Sequence, residues 1–462
     1  MLSFAFAGLV PPSSRLDPVV SLGDLHSFAG VLGRLRQGKP LRAISIGGSV
    51  TAYFGGCIGS GCDMRAAHMH AGLVGLRGNL PHSRIPKGHL AGFLRWLNVT
   101  FPHSDHSLRN NAIGGSIAAG VWYCIRSFVE EGVDIVFIDY AINGGKPSDF
   151  RNLAAQLSLY RPAPVMVAMH NTFWLQKPKL ADQTDIEAAA AGCGVAVLSH
   201  RNYLQPRFES GELGQRNVTR DGKHPTSWLQ SDDSPFSKAW EEVLAAWFVR
   251  ASAAVDARAR APAGRVLALY QGTCKPSDNL RLMAHCYTAQ GRTPRPWFGA
   301  QSGWSFSQLD ESDAEGARAT GRTPREKPGW VSTQIGSFTH LRLQERGELD
   351  VRLFLLHSWN ATLAGILAIS CVGGCSCDSM QYDTHFARKQ TTFEDVGVRV
   401  HASVGSKEGR DGGCQLRLEH ISGARHKLGS LVVATILPEA TAVRQKGRRF
   451  LAEQPVARRA WL

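Results

Sequence analysis

The sequence predicts an α/β unit, built on a parallel sheet with helices on both faces, followed by an all-β sandwich or jelly-roll-like unit. Three observations carry this. In the first 260 or so residues, short apolar runs alternate with amphipathic helical segments, the pattern of strands joined by crossover helices. After Ala261-Pro-Ala-Gly264 the helices stop, and short strand-like runs recur between Gly-rich turns. The chain has 462 residues, 43% apolar and 19% charged, an ordinary globular composition long enough for two or three domains. Disorder, collagen and coiled coil are excluded as descriptions of the whole. No apolar run approaches the ~20 residues that span a bilayer.

The elements follow in order. Residues 1–27 read as an N-terminal segment. Ala43-Ile-Ser-Ile46 is a short β-branched run ending in a Gly-rich turn, and it opens a unit spanning 28–258. Ser116 to Glu131 reads as one long helix, with Ile117, Ala118, Val121, Trp122, Ile125, Phe128 and Val129 on one face and Gly132 at the stop. The runs Val133–Tyr140, Val165–Met169 and Val195–Leu198 suit strands buried on both faces. Between the last two lies an Ala-rich helix near Ile186–Ala191, and a long amphipathic helix over Ser237–Ala259 closes the unit. The second unit, 265–440, takes its strands from Val266–Tyr270, Trp330–Thr333, Val351–Leu356, Val398–Val404, Gln415–Leu418 and Leu431–Ile436. Ser307–Lys327 is polar and reads as a surface loop, and 441–462 as a basic tail.

Of the net charge of +14, +5 lies in that tail, where six of the residues between Arg444 and Arg459 are cationic against Glu453, and the remaining +9 is spread over the rest of the chain. No basic helix, zinc-finger spacing or RRM signature accompanies it, so no nucleic-acid partner is expected. A solvated basic surface is the plain reading, and an acidic partner such as a uronic-acid glycan or an anionic membrane surface is the other. Ten cysteines and three Asn-X-Thr acceptors, at Asn98, Asn217 and Asn360, together favour a secreted or secretory-lumen protein. The start, MLSFAFAGLVPP, lacks a basic n-region; a truncated N-terminus is the expectation that reconciles the two.

Four segments carry chemistry. In Ile44-Ser-Ile-Gly-Gly-Ser49-Val-Thr51 a serine follows a strand in a Gly-rich turn, at the sheet edge where open α/β folds place ligands. Asn111-Ala-Ile-Gly-Gly115-Ser and Tyr140-Ala-Ile-Asn143-Gly144 end two further strands. A Gly N–H and an Asn amide at adjacent strand ends suit a developing oxyanion. In Asp221-Gly-Lys-His224-Pro the acid is placed to fix the imidazole tautomer, leaving the other ring nitrogen to take a serine proton. Taken singly, each segment is as well explained as a turn, a cap or a solvated loop.

In this order, the four resemble the blocks of the SGNH (GDSL-type) hydrolase family, over residues of about 40–250. The resemblance implies a three-layer flavodoxin-like domain and a serine esterase. Ser49 would be the nucleophile, and Asp221 and His224 would complete the triad. Gly115, or less favourably Gly114, and Asn143 would bind the oxyanion with the Ser49 N–H. It implies no cofactor and no metal. Two departures stand out: Gly48 and Gly144 replace the family's usual acids. The substrate expected is an O-acylated, above all O-acetylated, glycan, with the β-sandwich as a possible carbohydrate-binding partner; a small or lipid ester comes next. The alternatives are a glycan O-acyltransferase and a catalytically silent glycan-binding protein.

His68, His70, His82 and His89 fit no compact metal site and read as solvated loop histidines. Cys371, Cys375, Cys377 and Cys414 suit a zinc site or disulfides, with disulfides favoured by the glycosylation acceptors. Cys57 and Cys62 suit a small bridge beside Ser49 or two free thiols. Cys124, on the apolar face of its helix, reads as a buried thiol.

Overall fold

The computed structural model describes residues 16–54, 62–65, 88–143, 146–171, 174–176, 179–180, 183–219, 234–260, 274, 283–288, 298–309, 326–358, 364–385, 391–403 and 413–435. Its first part contains strands β1 (Val19–Leu22), β2 (Arg42–Gly47), β3 (Cys62–Arg65), β4 (Ser107–Asn110), β5 (Ile135–Asp139), β6 (Val165–His170), the short hairpin β7 (Trp174–Gln176) and β8 (Lys179–Leu180), and β9 (Ala196–Ser199). Seven of them form one sheet in the order β1-β9-β6-β5-β2-β4-β3. The five central strands are parallel, and the edges β1 and β3 are antiparallel.

Every residue of β5 and β6 is buried, which is why their sequences are continuous apolar runs rather than alternating ones. On one face pack the helices Leu25–Arg36, His89–Thr100 and Pro235–Ala259, around Phe28, Phe93, Trp247 and Phe248. The other face is covered by Ala118–Trp122, Ile125–Phe128, Pro147–Leu157 and Thr184–Ala191. The chain leaves β2 for β4 on one side and then returns to β5 on the other, so strand order reverses at β2.

The second part is antiparallel throughout its described strands: β10 (Met283–Thr288), β11 (Phe298–Ser302), β12 (Trp304–Leu309), β13 (Glu326–Ser332), β14 (Phe338–Arg342), β15 (Gly347–Ser358), β16 (Ile366–Gly373), β17 (Cys375–Ser376), β18 (Met380–Asp383), β19 (Thr391–Ala402), β20 (Cys414–His420) and β21 (His426–Thr435). One sheet runs β12-β13-β21-β15-β19-β17 with β10 also on β21, and the other runs β11-β14-β20-β16-β18. Leu349, Val351, Leu353, Leu367, Leu416 and Leu418 fill the space between them. The strict buried-intermediate alternation of β20 is that of a strand with one face on the core. The fold class is thus a helix-flanked, mostly parallel sheet followed by antiparallel sheets.

Several sequence expectations are corrected. The helix expected over Ser116–Glu131 is two short ones, broken at Tyr123–Cys124. Cys124 is bonded to Cys286 of β10 rather than being a thiol, and Phe354 of β15 presses within 3.1 Å of where a Cβ on Gly120 would sit. Packing against the second part overrides the helical period there. The loop expected over Ser307–Lys327 is strand at both ends, since β12 and β13 pair Ser307 with Gly329 and Leu309 with Glu326. His89 is fully buried at the start of its helix, against Phe236 and Trp240, because apolar residues of Pro235–Ala259 close over it. His68, His70, His82, Val266–Tyr270, Asn360 and the tail 441–462 lie outside the described residues.

Disulfides staple the two parts together and brace the second. Cys124–Cys286 and Cys193–Cys274 are the connecting bridges; Cys371–Cys377 and Cys375–Cys414 lie within the sandwich. The four clustered cysteines are therefore paired with one another. Cys57, and with it the Cys57–Cys62 question, lies outside the described residues. Phe354 and Val432 of the sandwich join the same apolar cluster as Val121 and Ile125, so the two parts share a core. Among the described residues no helix is long and apolar enough to cross a membrane.

Candidate active site

Ser49 is the first residue of the helix Ser49–Phe54, two residues beyond β2, and is partly exposed. The turn that delivers it is sterically fixed. A Cβ on Gly47 would lie 2.8 Å from the Asp139 carbonyl oxygen and 3.2 Å from the Thr51 Cβ, so only glycine fits. The Gly48 N–H donates to the same Asp139 carbonyl at 2.9 Å, and the Thr51 hydroxyl donates to the Asp139 carboxylate at 2.7 Å.

The segment after β4 runs alongside the end of β2. The amides of Asn111 and Ile113 donate to the carbonyls of Ser45 and Gly47 at 2.8 Å each, and the Ser116 hydroxyl donates to Gly47 O at 3.0 Å. This extends the β2–β4 ladder up to Gly115, whose φ of +81° is the left-handed region that glycine tolerates. On the other side of β2, Asn143 ends a 3-10 turn, Ala141–Asn143, directly after β5. The fold therefore brings Ser49, Gly115 and Asn143 to the carboxyl ends of three neighbouring strands, where the strand order reverses. Asp221 and His224 lie outside the described residues. The flanking elements are the buried Val218-Thr219 and the helix Pro235–Ala259, capped by the Ser234 hydroxyl accepting from Ser237 N–H at 3.1 Å.

Two supporting residues escaped the sequence reading. Asn110 is fully buried; its amide donates to Thr51 O at 2.9 Å, and its oxygen accepts from the Ser45 hydroxyl at 2.9 Å and Ala112 N–H at 3.1 Å. It ties the helix Ser49–Phe54 to β4. Asp139 is also buried. Burial pushes its carboxyl up to about 6, with the Thr51 hydroxyl and the Asn171 side chain pulling back. An acid closing the apolar run IVFID is the signal that was available. From β5 it supplies a carboxylate beneath the turn in which Gly48 has none.

Behind these lies an aromatic layer. The Trp240 indole N–H donates to Asn171 Oδ1 at 2.7 Å, and His200 stacks on Trp240 with centroids 5.1 Å apart. Burial, followed by the nearby His89, pushes His200 down to about 3. His170, at the end of β6, is likewise held at about 3 by burial and then by Arg201. Both rings are neutral core residues at any physiological pH.

The whole fold has solved counterparts. A two-domain esterase (CEX) active on acetylated mannans matches with TM-score 0.54 and 14% identity, covering 91% of this chain and 98% of that one. The same esterase co-crystallised with mannopentaose matches with TM-score 0.55 and 15% identity, over the same shares. At these identities the likeness is one of fold. By sequence, no described protein family and no curated protein matches the chain.

Proposed function

We propose that the chain is a serine ester hydrolase of the SGNH type that removes acyl groups, above all acetyl, from an O-acylated polysaccharide outside the cell. The observation that carries this reading is the convergence of Ser49, Gly115 and Asn143 at adjacent strand ends around β2. In the proposed mechanism Ser49 Oγ attacks the ester carbonyl as His224 takes its proton, and Asp221 orients His224. The N–H groups of Ser49 and Gly115 and the Asn143 amide hold the oxyanion. As the bond to the sugar oxygen breaks, His224 gives its proton to that oxygen, and water, activated by the same imidazole, then hydrolyses the acyl-enzyme to release the acid.

Support for a glycan ester comes from the two-part likeness to the acetylmannan esterase. Support for an extracellular setting comes from the disulfides. On this reading the chain divides near residues 261–264 into a hydrolase domain, 28–258, and a carbohydrate-contacting sandwich, 265–440. The test is labelling with a fluorophosphonate probe, followed by acetate release from acetylated mannan. Ser49 should carry the label, and Ser49→Ala should abolish both label and release while the protein stays folded. Label on another residue, or full turnover by the mutant, rules the reading out. Acetyl appearing on an added deacetylated glycan rather than as free acetate would point to transfer.

A further inference from the structure

The segment that carries Gly115 is held from one side by β2 and from the other by the sandwich. The Phe393 N–H, near the start of β19, donates to the Gly115 carbonyl at 3.0 Å. On its sheet side this end of β19 pairs with β15, Leu356 opposite Phe393. β17 reaches β19 only at Ala402 and His401. Among the described residues, then, Phe393 sits on an open strand edge with its amide turned outward, and the carbonyl that satisfies it comes from the other part of the chain. The contact blunts an exposed sheet edge and simultaneously fixes a peptide of the site.

Behind the segment lies a cavity of about 40 Å³ lined by Ile113, Ser116, Ile117, Phe354, Phe393 and Ser430. Ile113 and Ser116, on either side of Gly114 and Gly115, therefore border incompletely filled space. The Phe393 ring is buried, at 6% exposure, and it abuts Gly429, where an added Cβ would lie 2.6 Å from the ring. Cys124–Cys286 ties the same face of the helices to β10. The strand is thus seated firmly enough to act as a fixed post.

We infer that Phe393 is a positioning residue for the oxyanion hole: its backbone N–H, from the sandwich, holds the Gly115 carbonyl so that the Gly115 amide faces Ser49. The second part of the chain then serves catalysis directly, as well as any glycan contact. This rests on the hydrolase reading above. It predicts a rate effect without a binding effect, because a donor aimed at the oxyanion matters only as charge develops.

The test uses the full chain and an aryl acetate. Phe393→Pro deletes the N–H, and proline is tolerated where a strand edge faces outward. It should lower kcat roughly 10-fold, in line with one lost hydrogen bond, with KM within about twofold, and should speed hydrogen exchange over residues 112–117. Phe393→Leu keeps the N–H and should restore kcat. Should the proline variant fail to fold, Gly429→Ala displaces the ring from behind and should also lower kcat at constant KM. An unchanged kcat in a folded Phe393→Pro or Gly429→Ala protein overturns the inference, as does an equal loss in Phe393→Leu. A wild-type protein that neither hydrolyses the ester nor takes the fluorophosphonate label refutes the hydrolase reading instead. The exchange at 112–117 then judges the anchor alone: faster exchange in Phe393→Pro supports it, and unaltered exchange overturns it.

Discussion

Asn143 stands one strand away from Ser49, at the end of the turn after β5. An amide that donates to an oxyanion acts only in the transition state. Asn143→Ala should therefore lower kcat by roughly 10²–10³ with KM nearly unchanged. A residue that merely closed the turn would cost ~0.5–2 kcal/mol of stability instead, with the rate per folded molecule intact. Melting temperature and kcat measured on one preparation separate the two. The glycosylation acceptors divide just as sharply. Asn98 is 6% exposed, inside a helix, and its oxygen accepts the His103 N–H at 2.9 Å. Asn217 is exposed on the turn Gln215–Val218. In a secretory eukaryotic host, glycan should be found on Asn217 and not on Asn98, which peptide mass spectrometry after enzymatic deglycosylation reads directly. Glycan on Asn98 in folded, secreted protein would contradict the packing of His89–Thr100.

At the scale of elements, what the sequence revealed depended on what surrounds each one. β5 and β6 were legible because strands buried on both faces must be apolar throughout. The turn bearing Ser49 was legible because its glycines and serine are chemically distinctive. The break at Tyr123–Cys124 was not, because its causes, Phe354 and Cys286, lie more than 150 residues away in sequence. Strands such as Phe338–Arg342 and Met380–Asp383 are short and half polar, so their pattern resembles loop. Asn110 and Asp139 brace the site through contacts that exist only after β2, β4 and β5 assemble. The turn bearing Ser49 itself gives a sharp test. Gly47→Ala brings a Cβ to 2.8 Å from backbone that cannot yield. We expect it to destabilise the protein by ~1–3 kcal/mol and to lower kcat at least 10-fold by shifting Ser49. Gly38→Ala is the control, since its Cβ meets nothing within 4 Å and only its φ of +69° is strained. If the two variants retain equal activity, the Gly47 contact does not position Ser49.

Across the whole molecule, buried histidines set an acid limit, and unequally in the two parts. Burial holds His170 and His200 at about 3 in the first part, and His357 and His426 at about 4 in the sandwich. Unfolding returns each to about 6.5. The stability they contribute is complete above that value and is lost as pH falls through it toward the folded values. At pH 5 each histidine costs roughly 2 kcal/mol, about 1.5 pH units at about 1.36 kcal/mol per unit. Asp139 runs the other way. Its carboxyl is raised to about 6, so the folded state carries a penalty that is full above that pH and lifts as pH falls from there toward the ordinary carboxylate range. By pH 5 this returns part of that loss to the first part. The net loss there is then smaller than its histidines alone would give, from a typical total of about 5–15 kcal/mol. The melting temperature should therefore fall between pH 6.5 and 5, with hydrogen exchange rising first in the sandwich strands. His357→Gln cannot take a proton, and it keeps a partner for the Tyr382 hydroxyl that His357 Nε2 meets at 3.1 Å. It should recover about half of the sandwich's loss at pH 5. A melting temperature flat from pH 7 to 5, or a His357→Gln protein as acid-sensitive as the wild type, would exclude His357 from the balance. First opening in the Ser49 sheet would instead mean that Asp139 does not offset its neighbours.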